Sequence, residues 1–524
     1  MREYGYVIGQ ADPTHFDFNI SDPDYRPVNY EYVELEVEEQ LPDGSRRGIR
    51  VLGQVKRLIS SHPFYDRRTT PEAAWKQREL GLKPDLLQVY ATAKVLGYID
   101  EAYGRREIRR PRSPPMPGTP VYRASDELLR TFFTLPEGEI PLKVGHLLHR
   151  ENIIVPISGR ELHRHMAILA MTRYGKSYLA GRIMEELLRR GASILAIDVH
   201  GDYADMVLDP EGRLHEFFHD KVAVYRPEAA ERFEAPHVKP LRLSASSIGF
   251  RELCALTRVE GPRQRFLLRR VLEEVRGEHP QYTLDEVLER LERRMEEARG
   301  AEGERIEGVI ERLEDLRREG IFTYGDVEVK AFFKPRRLSD IYLSGLPDYV
   351  QDVLVGVILR RVFEAKYRRQ PWARHPLFIF IEEAHRFAAP PERGSRFSRD
   401  IIARIAAEGS KFGLFLTVIS QRPRRLDPDI LSNCGNLAIF RVINPQDQRT
   451  IQAASEAFSE DLLNDLPALE QGEAVLVGPF VPIPVMIKTM ERETRHGGRT
   501  PDVYSLLREA LREAEEDEED EALY

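Results

Sequence analysis

Gly175-Lys176-Ser177 closes the stretch Ala170-Met171-Thr172-Arg173-Tyr174-Gly175-Lys176-Ser177. The apolar segment Met166-Ala167-Ile168-Leu169 precedes it, and apolar residues at helical spacing follow it through Leu187 and Leu188. Strand, tight loop and helix in that order form a phosphate cradle. Backbone N–H groups from Thr172 through Tyr178 would face the phosphates of a nucleotide, at a helix N-terminus whose macrodipole favours negative charge. Lys176 is expected to reach the β- and γ-phosphates, and the Ser177 hydroxyl to complete the coordination of Mg2+. Ala170 stands where the usual pattern has glycine, which is acceptable if that residue keeps φ below zero.

A second chemical stretch lies some two hundred residues on. Leu377-Phe378-Ile379-Phe380-Ile381 is a continuous apolar run that ends in Glu382-Glu383. Glu382 suits Mg2+, directly or through water, and Glu383 suits the orientation and polarisation of an attacking water. Leu414 to Ser420 is another buried-strand pattern and ends at Gln421, placed to sense the γ-phosphate or that water. Ser193 to Ile197 is a third, ending at Asp198, which can join the metal's water shell or cap the turn Val199-His200-Gly201-Asp202-Tyr203. His385 reads as a locally bonded or packed side chain.

These residues need a parallel sheet to bring them to one edge, so an α/β core is expected, in the parts 141–249 and 326–470. Between them, 250–325 reads as a helical insertion: Leu267, Leu268, Val271, Leu272 and Val275 recur on one face, and Thr283 to Glu286 has capping-box spacing. Its charged residues read as a solvated face. Residues 1–108 alternate as strands do, with Val33, Leu35 and Val37 on one face, and suggest a small β-barrel. Arg109 to Gly118 is rich in proline, so 109–140 reads as a linker. The C-terminal part, 471–524, holds short strands and an acidic run from Glu513 to Asp520.

The composition narrows the class. With 42% hydrophobic and 31% charged residues the chain is an ordinary globular one, and a net charge of −9 gives no global field for nucleic acid. Any such contact must be local, and the loop bearing Arg393, Arg396 and Arg399 is the expected place. Two distant cysteines, Cys254 and Cys434, exclude a disulfide framework. No membrane-spanning run or signal-like segment is read, so a cytoplasmic location is expected.

In order and content these pieces resemble the HerA family of DNA translocases within the HerA–FtsK class. The resemblance rests most specifically on Ile381-Glu382-Glu383-Ala384-His385, Ala407-Glu408-Gly409-Ser410-Lys411-Phe412-Gly413, Ser420-Gln421-Arg422-Pro423 and Asn436 through Pro445. Gly5-Tyr6-Val7-Ile8-Gly9 and Val51-Leu52-Gly53-Gln54-Val55 resemble the family's barrel. The resemblance implies a RecA-like P-loop ATPase core with a C-terminal brace, assembled as a homohexamer around double-stranded DNA. It also implies an arginine reaching in from the neighbouring subunit, for which Arg164 and Arg441 are the candidates, with Arg404 and Lys411 behind them. A NurA-type nuclease or another effector, in DNA-end resection or in phage defence, is the implied partner. The rival expectation is a nucleotide-gated scaffold ring that recruits an effector with little ATP turnover.

Overall fold

Strict alternation in the first strands has the consequence expected of it: Val33, Leu35 and Val37 are buried together with Phe16, Phe18, Val51 and Val55. In the computed structural model of this chain the described residues are all but 1, 23, 41–44, 62–69, 80–87, 101–105, 233, 280, 319, 323–327, 394–396, 456–457, 498–502, 505–506 and 513–524. The acidic run expected to be a tail lies outside the described residues. The barrel is built from β1 (Glu3–Ile8), β2 (His15–Asn19), β3 (Tyr32–Gln40), β4 (Arg46–Ser61), β5 (Gln88–Asp100), β6 (Glu107–Arg109) and β7 (Pro120–Arg123). Antiparallel pairing runs β2-β1-β7-β3-β4-β5, and β2 pairs with β5 to close the ring, leaving β6 as an extension of β5. Closure removes the exposed edges that an open sheet would carry.

The proline-rich segment differs from its reading as a linker. The chain returns through it into the barrel, because β7 pairs with both β1 and β3. Proline cannot donate to a ladder, but Pro120 is the first residue of its strand, where that is tolerated. The Glu39 carboxylate fixes the approach by accepting from the backbone N–H of Arg112 at 2.9 Å and of Ser113 at 3.1 Å.

The chain forms two compact units, one of Met1–Gly175 with Gly435–Met490 and the other of Lys176–Cys434 with Glu491–Tyr524. The first holds the barrel and then β8 (Pro141–Leu147), β9 (Arg150–Ser158) and β10 (Met166–Leu169). The second holds β11 (Ser193–Asp198), β12 (Val222–Arg226), β13 (Val238–Pro240), β14 (Arg337–Tyr342), β15 (Leu377–Ile381) and β16 (Leu414–Ser420). These six pair in parallel in the order β13-β12-β14-β11-β15-β16. The central strand β15 is apolar along its whole length, and β11, β14 and β16 are buried at almost every position, as strands covered on both faces are. Register places Ile197 beside Ile381 and Ile381 beside Val418, so Asp198, Glu382 and Gln421 follow from neighbouring carboxyl ends.

The insertion of the second unit consists of helices Phe250–Thr257, Pro262–Glu278, Leu284–Glu297 and Ala301–Arg318. Its capping box forms as expected, with Thr283 N–H on Glu286 Oε2 at 2.6 Å and Glu286 N–H on Thr283 Oγ1 at 3.4 Å. In the first unit β17 (Asn436–Ile439), β18 (Glu473–Val477) and β19 (Val485–Thr489) complete a sheet ordered β10-β17-β18-β19-β8-β9, parallel only between β10 and β17. Cys254 and Cys434 are buried and unpaired. Among the described residues no helix is long and apolar enough to cross a membrane.

Candidate nucleotide site

In the first unit the loop after β10 takes the shape its residues allow. Arg173 and Gly175 have φ of 68° and 107°, whereas Ala170 is not among the left-handed residues, so glycine is not needed there. Arg173 is less comfortable, since a non-glycine residue in that region costs about 1 kcal/mol. The loop is anchored from the later strands: Met171 N–H donates to the Arg441 carbonyl at 3.1 Å and Gly472 N–H to the Tyr174 carbonyl at 3.1 Å. Arg441 also donates to Tyr174 Oη at 3.1 Å, with its guanidinium 5.5 Å from the ring centroid. Arg441, expected as a finger for a neighbouring subunit, is thus engaged with the phosphate loop of its own chain. Arg164 lies just before β10, at the strand end away from the loop, 55% exposed and paired with Glu161 at 2.9 Å.

In the second unit the helix Lys176–Arg189 opens with Lys176 and Ser177 and has no acid in its first turn. Lys176 Nζ lies 3.0 Å from Glu383 Oε1 and 3.5 Å from Glu382 Oε2. Burial pulls the Lys176 pKa down, but the two carboxylates outweigh it and hold it above the ordinary value. Glu383 is left-handed at φ 45°, a backbone strain of the kind that clusters at functional sites. His385 Nδ1 is 3.1 Å from Glu383 Oε2 and 3.2 Å from Ser420 Oγ. Burial raises the Glu383 pKa, yet His385 and Lys176 together take it down to about 2. Glu382 moves the other way: burial raises it, Lys176 opposes and Asp202 adds to the rise.

Asp198 resolves the choice left open by its sequence position in favour of capping. Its carboxylate accepts from the backbone N–H of His200 at 3.1 Å, Gly201 at 2.8 Å and Tyr203 at 2.9 Å. Burial, and then the neighbouring Asp202, push its pKa up to about 7. The capped turn delivers Tyr203, fully buried, whose hydroxyl donates to Glu382 Oε1. Sequence reading missed Tyr203 and the contacts of His385 and Ser420; the polar turn at the end of β11 was the available signal. Gln421, half-buried, directly follows β16.

The segment after β19 in sequence is fastened to the Lys176–Arg189 helix. Glu185, buried, accepts from Thr494 N–H at 2.9 Å, Thr494 Oγ1 at 2.6 Å and Arg182 Nη1 at 2.9 Å. Arg492 N–H donates to Tyr178 Oη at 2.8 Å, so the hydroxyl of Tyr178 serves this strap. The basic loop expected to contact nucleic acid is described only in part. Arg399 is held by buried Asp427, with Nη2 at 2.7 Å and Nε at 2.8 Å, and by Asp400 at 3.1 Å. An arginine that neutralises a buried carboxylate is a structural partner. The Arg393 side chain and all of Arg396 lie outside the described residues.

A family model described as "Helicase HerA, central domain" matches residues 142–362. A probable helicase of Methanocaldococcus jannaschii is 31% identical over 96% of this chain and 93% of its own. The DNA double-strand break repair helicase HerA of Sulfolobus acidocaldarius is 30% identical over 90% of this chain and 91% of its own. Among solved structures, VirB4 of Thermoanaerobacter pseudethanolicus has a similar fold, with a TM-score of 0.50 at 15% identity over 68% of this chain and 98% of that one.

Proposed function

From the premise that the chain belongs to the HerA family of P-loop ATPases, we propose that it couples ATP hydrolysis to movement along duplex DNA as a homohexameric ring working with a NurA-type nuclease or another effector. The observation that carries this reading is the Lys176–Glu383–His385 chain of contacts beside Glu382. Lys176 would leave the carboxylates for the phosphates, a like-for-like exchange of anionic partners. Glu383, held ionised by its neighbours, would accept a hydrogen bond from the attacking water and fix its direction, with His385 steadying the other carboxylate oxygen. Hydrolysis by such a site is a matter of positioning and charge stabilisation more than covalent chemistry.

Mg2+ fits the donor set, since the Ser177 hydroxyl and the buried Glu382 carboxylate are hard oxygen ligands that leave positions for water and phosphate. When bound it would neutralise charge on the phosphates. Tyr203 would hold Glu382 in a single orientation for that role. Arg164 is the better finger of the two expected, because it is exposed while Arg441 is engaged with Tyr174.

The scaffold reading draws on Arg173, whose left-handed backbone burdens the phosphate loop. ATP hydrolysis by purified protein, with and without duplex DNA and beside Glu383→Gln, separates the two. DNA-stimulated turnover abolished by that substitution supports the motor; negligible turnover with DNA and partner nuclease supports the scaffold. Sedimentation with ATP and Mg2+ tests the hexamer.

A further inference from the structure

The helix Pro262–Glu278 of the insertion carries its charge the wrong way round for its own stability. Its first turn has no acid, its N-cap Gly261 offers no side-chain bond, and Arg263, Arg265, Arg269 and Arg270 fill its N-terminal half. Glu273, Glu274 and Glu278 occupy the other end. A helix macrodipole favours the reverse placement, so Arg263 and Arg265 in the first turn and Glu278 in the last work against the helix, with Arg276 opposing Glu278. From Arg258 to Arg270 five arginines stand against Glu260 alone, a net +4 within a chain of net −9.

The helix buries Leu268, Val271, Leu272 and Val275. On the opposite side, at offsets of three and four, lie Arg263, Phe266 and Arg270. All three are exposed, and Phe266 keeps 69% of its surface in solvent. On the flank Arg269 and Arg265 lie over the Phe250 ring, 4.5 Å and 5.9 Å from its centroid, which pre-orders their guanidiniums. Among the described residues Arg270 has a single loose ion pair, to Glu274 at 3.6 Å, with its side chain 62% exposed. Read from sequence alone, these charges are a solvated face. An uncovered phenyl ring set between two exposed arginines is not explained by solvation.

We propose that the Arg263–Phe266–Arg270 face of the insertion is a contact site for single-stranded nucleic acid. The arginines would take consecutive phosphates and Phe266 would stack an unpaired base, the combination by which proteins hold single strands without reading sequence. Duplex offers the phosphates but no free base face. The inference rests on the DNA-handling reading above and adds to it a second site, for a strand that has left the duplex.

The test uses the full-length protein and fluorescent oligonucleotides, one single-stranded and one duplex, titrated at several salt concentrations. Arg263→Glu with Arg270→Glu is expected to weaken single-strand binding at least about tenfold and to lower the slope of log K on log salt by about 1.4, at about 0.7 per lost phosphate contact. Phe266→Ala is expected to weaken single-strand binding at least about fivefold and leave duplex binding unchanged. Arg293→Glu is the control, the same reversal made at one arginine, half the charge change of the double variant, at a 72% exposed side chain on the Leu284–Glu297 helix of the same insertion that among the described residues pairs with Glu289 at 3.9 Å. Thermal melting checks that all variants are folded, as surface substitutions should be. Unchanged single-strand affinity and slope in both patch variants, or equal losses in Arg293→Glu, overturn the site while leaving the motor reading intact. Wild-type protein that binds neither oligonucleotide, and whose hydrolysis ignores DNA, overturns both.

Discussion

The ammonium of Lys176 stands between two carboxylates of the same acidic turn, 3.0 Å from Glu383 and 3.5 Å from Glu382. One cation therefore faces two buried carboxylates, and removing it leaves Glu383 with His385 and Glu382 with the neutral Tyr203 hydroxyl. Lys176→Ala is expected to destabilise the protein by about 3 kcal/mol at pH 7.5, the cost of breaking a buried ion pair from one side. The depressed Glu383 pKa stabilises the fold at every pH above the ordinary glutamate value and is lost only as pH falls toward about 2. In the variant the share owed to Lys176 goes while that of His385 stays, and both glutamates titrate higher, so the deficit should shrink on acidification to pH 5. Urea denaturation of both proteins at the two pH values measures this; an equal deficit at both would assign the loss to packing.

Glu383→Gln tests the carboxylate itself. The amide keeps the volume and one acceptor but loses the charge, so hydrolysis should fall at least about 100-fold, the usual reach of a positioned acid–base group. Nucleotide binding, followed by fluorescence, should survive. With Glu383 ionised down to about 2 in the free enzyme, kcat/KM should show no acid limb from this residue between pH 5 and 8.

Tyr203 bonds to Glu382 from a turn that Asp198 caps through three backbone N–H groups. Tyr203→Phe removes only the hydroxyl. A hydrogen bond to a charged group is worth about 1.5–3 kcal/mol, so Mg2+-dependent nucleotide binding should weaken about tenfold or more. Binding measured in chelator should not change. Calorimetry under the two conditions distinguishes a bond that positions Glu382 from a merely structural one, which would affect both alike.

The phosphate loop and the acidic turn were legible in the sequence because each follows an apolar run that can only be a buried strand. Met166 to Leu169 and Leu377 to Ile381 are uninterrupted, and a parallel sheet is the setting that buries such runs on both faces. The return of the chain to the barrel was not legible, since proline-rich sequence argues against strands and the four residues Pro120–Arg123 are too few to outweigh it. Partnerships set by tertiary approach were also hidden. Nothing local ties Tyr203 to Glu382, Arg399 to Asp427 or Arg441 to Tyr174, and each of these fixes how its residue is to be understood.

Gly181 shows local preference and packing in direct opposition. It lies inside the helix Lys176–Arg189, where alanine is favoured over glycine by about 1 kcal/mol. A Cβ at this position would stand 2.5 Å from Arg492 Cζ, and Arg492 is buried among Thr494, His496 and Glu185. Moving it breaks the contacts of its guanidinium with Thr494, His496 and Glu185. Overpacking costs about 1–3 kcal/mol, so Gly181→Ala should lower stability despite the better helix former. A gain in denaturation midpoint would mean that the strap moves aside at little cost.

Arg164 carries the last prediction, because its position excludes the alternative. It precedes β10, whereas the phosphate loop follows β10, so a strand's length separates it from the phosphates that its own loop would bind. In the proposed ring, whose contacts would run head to tail, Arg164 would therefore act across a subunit boundary. Arg164→Ala and Lys176→Ala should each abolish hydrolysis, through different halves of one site. When the two inactive proteins are dissociated and mixed equally, a site regains both groups wherever an intact Lys176 faces an intact Arg164 from its neighbour. Random assembly makes that about a quarter of the sites, and such a share of wild-type turnover is expected if each site fires independently. No recovery, with mixed rings verified by mass, would place the arginine function elsewhere, with Arg404 and Lys411 the next to be tested in the same way.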